Sequence, residues 1–133
     1  MPTSIFISLP VKDVKKSAAF YEALGLKRNP QFTGDTTACI AVSDTISVML
    51  ASHEQFKQIS PRPIADPTEG CQVLLSLSLE SREAVDGMVA KAIAAGGSKA
   101  HEPEDYGFMY QHAFLDLDGH GWGLTWFNPE AAK

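Results

Sequence analysis

The sequence places the same order of secondary-structure signals in each of its halves, and this repetition limits the possible folds more than any other feature. Each half opens with a strand of alternating apolar residues, over Ile5–Val11 and Cys71–Leu79. A helix follows each strand. Its N-cap is Asp13 in the first half and Ser81 in the second, because both side chains can accept bonds from the free amides of a first helical turn. The two caps are 68 positions apart, which indicates one large unit used twice rather than a short solenoid repeat.

Three further strands are predicted after each helix, with turn-forming residues between them. They fall near Arg28–Thr33, Thr37–Val42 and Ile46–Ala51 in the first half, and near Lys99–Glu102, Tyr110–Leu117 and Trp122–Phe127 in the second. Asp118-Gly119 predicts the hairpin turn between the last two strands, since both residues tolerate a positive φ. The expected fold class is therefore α+β, with two βαβββ units.

The length of the chain, 133 residues, fits one compact domain. We expect a single domain over 1–133, with unit one at 1–56, a linker at 57–70 and unit two at 71–133. Pro61, Pro63 and Pro67 argue against a helix or a central strand within the linker.

Composition narrows the class of partners. The formal net charge of −5 argues against binding to nucleic acid, which requires a basic face. No apolar run reaches the ~20 residues that span a bilayer, and no signal peptide is evident, so we expect no membrane association. Cys39 and Cys71 lack metal-site spacing and predict free, buried thiols in a reducing cytoplasm.

Alternation along the strands predicts which side chains face the helices. In the two opening strands, the helix side is expected to carry Ile5, Ile7, Leu9 and Val11, and Val73, Leu75, Leu77 and Leu79. The opposite side then carries Phe6, Ser8, Gln72, Leu74 and Ser76. In the last two strands we expect Trp122, Leu124, Trp126, Ala113 and Leu115 beneath the helices, with Thr125, Tyr110, His112 and Phe114 on the opposite, ligand-facing side.

The chain resembles the vicinal oxygen chelate superfamily, which includes glyoxalase I, bleomycin-resistance proteins and extradiol dioxygenases. The segments that carry the resemblance are Leu9–Val14, Ser17–Tyr21, Leu24–Leu26, Ala94–Gly97 and Asp118–Trp122. The resemblance implies a cupped mixed sheet built from both units, with the helices on its outer face and a central ligand site. It also implies a homodimer, an expectation supported by the uncharged stretches Val48–Ala51 and Leu74–Leu77 if these are sheet edges.

Metal-dependent members of that superfamily take one ligand from each of four strands. The corresponding positions in this sequence are Phe6, Met49, Gln72 and Gly123. Phe6 and Gly123 have no donor atom, and the thioether of Met49 is unsuited to hard divalent ions. Gln72 can supply one oxygen, which is too few to hold a metal ion. The resemblance with these departures therefore predicts a protein without a metal or other cofactor.

The favoured interpretation is a metal-free protein that binds a small, partly apolar molecule. Its candidate ligand-binding residues are Phe6, Ser8, Met49, Gln72, Leu74, Ser76, His112, Phe114 and Thr125. One alternative is a lyase or dioxygenase with a rearranged metal site that uses His112 with donors from Gln72, Asp35 or Glu69. Another is a metal-free enzyme with His112 as general base, while a purely structural His112 in the core also remains open.

Two neighbouring segments of the second half have open interpretations. The acidic run Glu102–Asp105 is expected to be a solvated loop, and His101 is expected to be solvated beside it. The aromatic run Tyr106–Tyr110 either rims a pocket or begins a strand, since aromatic residues are common in strands.

Overall fold

A computed structural model of the chain describes residues 2–130. Its contacts divide the chain into two compact units, Met1–Asp66 and Pro67–Lys133. Each unit contains one four-stranded mixed sheet and one long helix, so the predicted α+β class with two βαβββ units is confirmed. No helix within 2–130 is long and apolar enough to cross a membrane.

Unit 1 contains four strands and two α-helices. In chain order these are β1 (Ile5–Val11), α1 (Val14–Ala23), β2 (Lys27–Asn29), β3 (Thr37–Ala41), β4 (Ile46–Ser52) and α2 (His53–Ile59). The sheet order is β1-β4-β3-β2, and β1 runs parallel to β4 while the other pairs are antiparallel. A short 3₁₀ turn, Pro30–Phe32, follows β2.

The core of unit 1 forms where α1 packs on the sheet. The Asp13 side chain accepts a bond from the amide of Lys16 at 3.0 Å and fixes the start of the helix, as predicted. Gly25 ends it with a φ of +97°, a conformation that suits glycine. The helix buries Ala18, Phe20 and Tyr21, and the sheet supplies Ile40, Val48 and Leu50.

Unit 2 repeats this architecture with β5 (Leu75–Ser78), α3 (Arg82–Ala94), β6 (Ser98–Asp105), β7 (Met109–Leu115) and β8 (Gly121–Phe127). The sheet order is β5-β8-β7-β6, with β5 parallel to β8. Ser81 caps α3 by accepting a bond from the amide of Ala84 at 3.0 Å. The core consists of Val85, Val89 and Ala92 of α3 against Phe114, Trp122 and Leu124 of the sheet.

Several local predictions are wrong. The strand expected over Arg28–Thr33 ends at Asn29, since Pro30 begins the 3₁₀ turn. The strand expected from Cys71 begins only at Leu75, and Cys71 is exposed rather than buried. The acidic run expected to be a loop is part of β6.

Two further corrections concern the linker and a turn. The start of the predicted linker is helical, because α2 is capped by Ser52 and continues through Lys57 to Ile59 before the prolines. Within 2–130 no residue other than glycine has a positive φ, so in the Asp118-Gly119 turn only Gly119 has the expected conformation.

The register of β7 on β8 overturns the predicted faces of β7. Directly paired residues of antiparallel strands share a face, and His112 pairs with Leu124 while Phe114 pairs with Trp122. His112 and Phe114 therefore lie beneath α3 with the core, as does Tyr110. Ala113 and Leu115 lie on the other face, contrary to expectation. A one-residue error in the predicted register assigns every side chain of a strand to the opposite face of the sheet.

The edges of the sheets also differ from expectation. The uncharged stretch Val48–Ala51 belongs to β4, which lies between β1 and β3 and is not an edge. The edges of unit 1 are β1 and β2, and those of unit 2 are β5 and β6. The other uncharged stretch, Leu74–Leu77, does include the edge strand β5.

Candidate functional site

Each sheet has one face away from its long helix, and we call this the helix-distal face. In unit 1 it carries Phe6 and Ser8 of β1 and Met49 of β4, since Val48 and Leu50 on either side of Met49 are buried in the core and Ile7, the partner of Val48, is half-buried. Ser8 pairs directly with Met49. The Phe6 side chain is 57% exposed, so this face presents an aromatic ring to solvent.

The helix-distal face of unit 2 is ordered in rows across the strands, because paired residues share a face. The first, the aromatic row, comprises Tyr106, Met109 and Phe127. The second, the polar row, comprises Glu104, Gln111, Thr125 and Ser78. Two independent observations agree with this placement: Tyr106 donates its hydroxyl to Glu104, and Asp105 between them turns to Arg82 of α3.

Two further rows complete this face. The small row comprises Ala113, Gly123 and Ser76, with His101 opposite Ala113 at the edge. The aliphatic row comprises Leu115, Gly121 and Leu74; a Cβ added at Gly121 would lie 3.1 Å from a methyl carbon of Leu74. The small row thus forms a strip of short side chains between the polar row on one side and the leucines of the aliphatic row on the other.

Gly123 and Ser76 are in close contact within the small row. A Cβ added at Gly123 would lie 2.9 Å from the Ser76 hydroxyl oxygen, a distance that real Cβ atoms essentially never show. Gly123 is one of the four positions that the resemblance aligns with metal ligands. In this chain it has no side chain, and the hydroxyl of Ser76 lies next to it.

The turn that presents the aromatic row is held by several hydrogen bonds. Gly107 adopts a φ of +82° at the first central position of the β6–β7 turn, which suits a tight hairpin turn. Its amide donates to Asp105 at 2.9 Å, and the carbonyl of Phe108 accepts the amide of Asn128 at 2.8 Å. Arg82 bonds to Asp105 through two nitrogens and thereby lowers the pKa of that carboxyl.

A second polar cluster lies on the other side of the unit 2 sheet, beneath α3. The Asp86 carboxylate accepts the Tyr110 hydroxyl at 2.6 Å, and this bond together with burial raises the pKa of Tyr110 to about 12. Asp86 also lies 3.6 Å from Nδ1 of His112. Neither ring nitrogen of His112 has a hydrogen-bond partner within residues 2–130. Arg82 covers the rings of Tyr110 and Trp126 at 5.1 and 5.2 Å.

The nine predicted ligand-binding residues therefore separate into groups. Leu74, Ser76 and Thr125 share the helix-distal face of unit 2. Phe6, Ser8 and Met49 share that of unit 1. His112 and Phe114 lie on the core side of unit 2, and Gln72 lies in an exposed segment before β5.

Sequence reasoning missed Glu104, Tyr106 and Gln111 as neighbours on one face. The signal that would have found them is the two-residue spacing of Glu104 and Tyr106, which places both side chains on one face of a strand. Assignment of the acidic run to a loop removed that signal. Two register shifts along β6, on either side of His101, also obscure the alternation.

Two βαβββ units in one chain, each with a parallel pair formed by its first and last strands, define a class of tandem-unit α+β proteins. Within that class, the family model described as Glyoxalase/Bleomycin resistance protein/Dioxygenase superfamily matches residues 5–124. The chain belongs to this superfamily. No curated protein matches the chain.

Solved structures give the same result for the fold. Hypothetical protein SA1046 from S. aureus is 35% identical, with 94% of each chain covered and a TM-score of 0.78. A glyoxalase/bleomycin resistance protein/dioxygenase family enzyme from Burkholderia phytofirmans PsJN is 22% identical, with 92% of this chain and 97% of that chain covered and a TM-score of 0.75. A glyoxalase-related enzyme from Fulvimarina pelagi is 18% identical, with coverages of 97% and 90% and a TM-score of 0.80.

The residues at the metal-ligand positions do not fit a metal ion. Phe6, Met49 and Gly123 provide no oxygen or nitrogen donor from their side chains, and Gln72 provides a single amide oxygen. Within the part of the chain that the structure describes, no three His, Cys, Asp or Glu side chains are grouped as a metal site requires.

Proposed function

We propose that this protein binds a small, partly apolar molecule on a helix-distal sheet face and does so without a metal ion. The observation that carries the proposal is the Gly123–Ser76 pair, in which a residue without a side chain and a neutral hydroxyl stand at a position that the resemblance aligns with a metal ligand. A hydroxyl on a floor of small residues can direct a ligand through hydrogen bonds, but it is a poor ligand for a divalent metal ion.

The composition of the helix-distal faces supports the same function. Ligand sites combine apolar walls with a few polar groups that fix orientation. Phe6 and Met49 in unit 1, and Leu74 and Phe127 in unit 2, supply apolar surface, while the polar row supplies an amide, a carboxylate and two hydroxyls. The exposed fractions of Phe6 and Leu74, 57% and 72%, are large for apolar side chains that serve only the core of their own unit.

The two enzymatic alternatives receive less support. A general base must reach the proton that it removes, and His112 is buried beneath α3 on the side away from the four rows. A rearranged metal site would also need His112 together with Gln72, Asp35 or Glu69, of which the last three are exposed and form no grouped site with it. Ligand binding without catalysis therefore explains more of the described geometry than either enzymatic alternative does.

Metal analysis and ligand binding together test the proposal. Elemental analysis of protein purified without chelator should give substoichiometric zinc, nickel, iron and manganese, and EDTA should leave the melting temperature unchanged. One tightly bound transition metal per chain would contradict the metal-free assignment.

A thermal-shift screen of planar, partly apolar compounds should give ligands that raise the melting temperature, as binding to the native state requires. Phe6→Glu should abolish or reduce these shifts. Ile59→Glu is a matched control, because Ile59 is equally exposed at the end of α2, and it should not change them. Loss of binding in both variants, or in neither, would place the ligand elsewhere.

A further inference from the structure

We propose that the aromatic row of unit 2, the neighbouring Phe108 of the β6–β7 turn and the polar row form a subsite for an organic cation with a planar ring, of the arylalkylammonium class. The inference rests on the proposed function, since it names the chemistry of a ligand for the helix-distal face of unit 2. The cation would lie at Glu104, and the ring would lie on Tyr106, Phe108 and Phe127.

Charge is distributed unevenly between the two units. Unit 2 contains ten Asp and Glu and four Lys and Arg, a formal charge of −6, whereas unit 1 contains six acidic and seven basic residues, a formal charge of +1. The surface potential of unit 2 therefore favours the approach of cations and opposes anions.

Glu104 differs from the other carboxylates of β6 in its partners. Glu102 pairs with Lys99, and Asp105 pairs with Arg82. Within residues 2–130, Glu104 has no lysine or arginine partner; it accepts the Tyr106 hydroxyl at 2.5 Å and lies 3.7 Å from Nδ1 of His101. The bond to Glu104 raises the pKa of Tyr106, and the phenol holds the carboxylate in place. The polar row thus presents an oriented anion to a ligand.

The aromatic side chains at this end of the unit 2 sheet are all exposed. Tyr106, Phe108 and Phe127 are 49%, 54% and 57% exposed, and the first two rings lie 6.3 Å apart. Rings of this kind attract cations through their faces and stack on planar ligands. The bonds that Asp105 and Asn128 make to the turn order it in advance, which lowers the entropy lost on binding.

The spacing of the rows sets the size of the ligand. Residues two apart on one strand are separated by about 6.6 Å, so the aromatic row lies about that far from the polar row. A primary amine separated from a ring system by two carbons spans this distance. The Gln111 amide oxygen and the Thr125 hydroxyl lie in the same row as Glu104 and can accept the remaining ammonium hydrogens.

Tryptamine is a suitable probe, and indole-3-propionate is its match with a carboxylate in place of the amine. Isothermal titration at low salt should show saturable tryptamine binding, with indole-3-propionate binding at least about tenfold more weakly. Cyclohexylethylamine, which keeps the amine and lacks the aromatic ring, should also bind more weakly. Amide chemical-shift changes should centre on Tyr106, Gln111 and Phe127.

Matched variants separate the site from general charge effects. Glu104→Gln should weaken tryptamine binding about tenfold, whereas Glu102→Gln, which removes the same charge two residues away, should leave it unchanged. Phe108→Ala should weaken binding, and Phe32→Ala, which removes an exposed ring from unit 1, should not. Circular dichroism melting of each variant verifies that it is folded.

Equal tryptamine affinity in the Glu104→Gln and Glu102→Gln variants would overturn the inference, as would the absence of saturable binding at millimolar tryptamine. Neither result would affect the proposed function if the thermal-shift screen still gives ligands that are sensitive to Phe6→Glu. Failure of that screen, with or without tryptamine binding, is the result that counts against the proposed function on the face of unit 1.

Discussion

The hydroxyl oxygen of Ser76 lies where it would be only 2.9 Å from a Cβ on residue 123. The two residues are direct partners in the parallel β5–β8 pair, so the contact is fixed by the register of the sheet rather than by a flexible loop. Glycine at 123 and serine at 76 therefore form a matched pair. The effect on stability of substituting one of them should therefore depend on which residue occupies the other position.

We predict that Gly123→Ala is less stable in the presence of Ser76 than in a Ser76→Ala background. The alanine methyl group meets the serine hydroxyl in the first case, while the Ser76 Cβ itself is 3.7 Å away and causes no conflict. The coupling free energy should be on the order of 1 kcal/mol, since the hydroxyl can relieve part of the overlap by rotation. Urea unfolding of both single variants and the double variant measures it. A coupling of zero would mean that the two side chains do not meet.

Much of the fold follows from local signals in the sequence. Asp13 and Ser81 are good N-caps, and both helices start where these residues predict. Strand β1 has the predicted bounds because its alternation is uninterrupted. The candidate site is predicted less well from the sequence, because the face on which a residue lies depends on how the strands pair. The displacement of His112 to the core and the placement of Glu104 beside Gln111 both depend on register and on irregularities of β6, which no local pattern encodes.

Gly87 in the middle of α3 offers a stabilising substitution. A Cβ added there meets nothing within 4 Å, and its φ is not positive. Gly87→Ala should raise the free energy of unfolding by about 1 kcal/mol, because glycine is a poor helix former. Thermal and urea unfolding give the value. Gly96→Ala, at a φ of +104° and 3.1 Å from Leu117, should instead destabilise the protein.

The bond between Tyr110 and Asp86 should make stability depend on alkaline pH. The pKa of Tyr110 is raised from 10.0 to about 12, so the folded protein favours the protonated phenol. This contribution is complete below pH 10 and is lost as the pH rises towards 12. Two pKa units represent ~2.7 kcal/mol, which solvent screening reduces to about 1 kcal/mol.

Tyr110→Phe is the control for that pH dependence. The stability difference between the wild type and this variant should be constant up to about pH 9 and should shrink above pH 10. Urea unfolding at each pH measures the difference, and absorbance of the phenolate reports the titration itself. An unchanged difference at pH 11 would show that the Asp86 bond does not perturb the phenol.

Arg82 is expected to position the β6–β7 turn through Asp105. Arg82→Lys keeps the charge but loses the two-nitrogen bond and the planar contact with Tyr110 and Trp126. The amide of Gly107, which donates to Asp105, should then exchange faster with solvent. Lys91→Arg, at the last turn of α3, should leave that exchange rate unchanged.

The same pair should affect stability in acid. Arg82 lowers the pKa of Asp105 below its ordinary 3.8, so the carboxylate contributes stability that is present above that value and is lost as the pH falls through the lowered pKa. In Arg82→Lys, where the pKa of Asp105 is lowered less, this loss should be smaller and should be complete at a higher pH. Identical acid-unfolding curves for the two proteins would show that the pair does not contribute.

The edge strands provide the basis for the last prediction, self-association. Edges β2 and β6 carry charged residues that discourage pairing, such as Lys27 and Glu102. Edges β1 and β5 carry none, and the apolar residues Ile5 and Val73, in or beside them, are 53% and 64% exposed. Unprotected edges with exposed apolar side chains require cover, and a second copy of the chain can provide it.

We therefore predict a twofold-symmetric homodimer whose interface is largely apolar and exceeds ~1,000 Å². Sedimentation at low micromolar concentration should give twice the mass of the chain. Ile5→Lys and Val73→Lys should each shift the equilibrium towards monomer, because they place a charge at an uncovered edge. Ile93→Lys is the control, since Ile93 is 46% exposed and belongs to α3 rather than to an edge strand. A monomer mass for the wild type at that concentration would leave β1 and β5 without a partner chain.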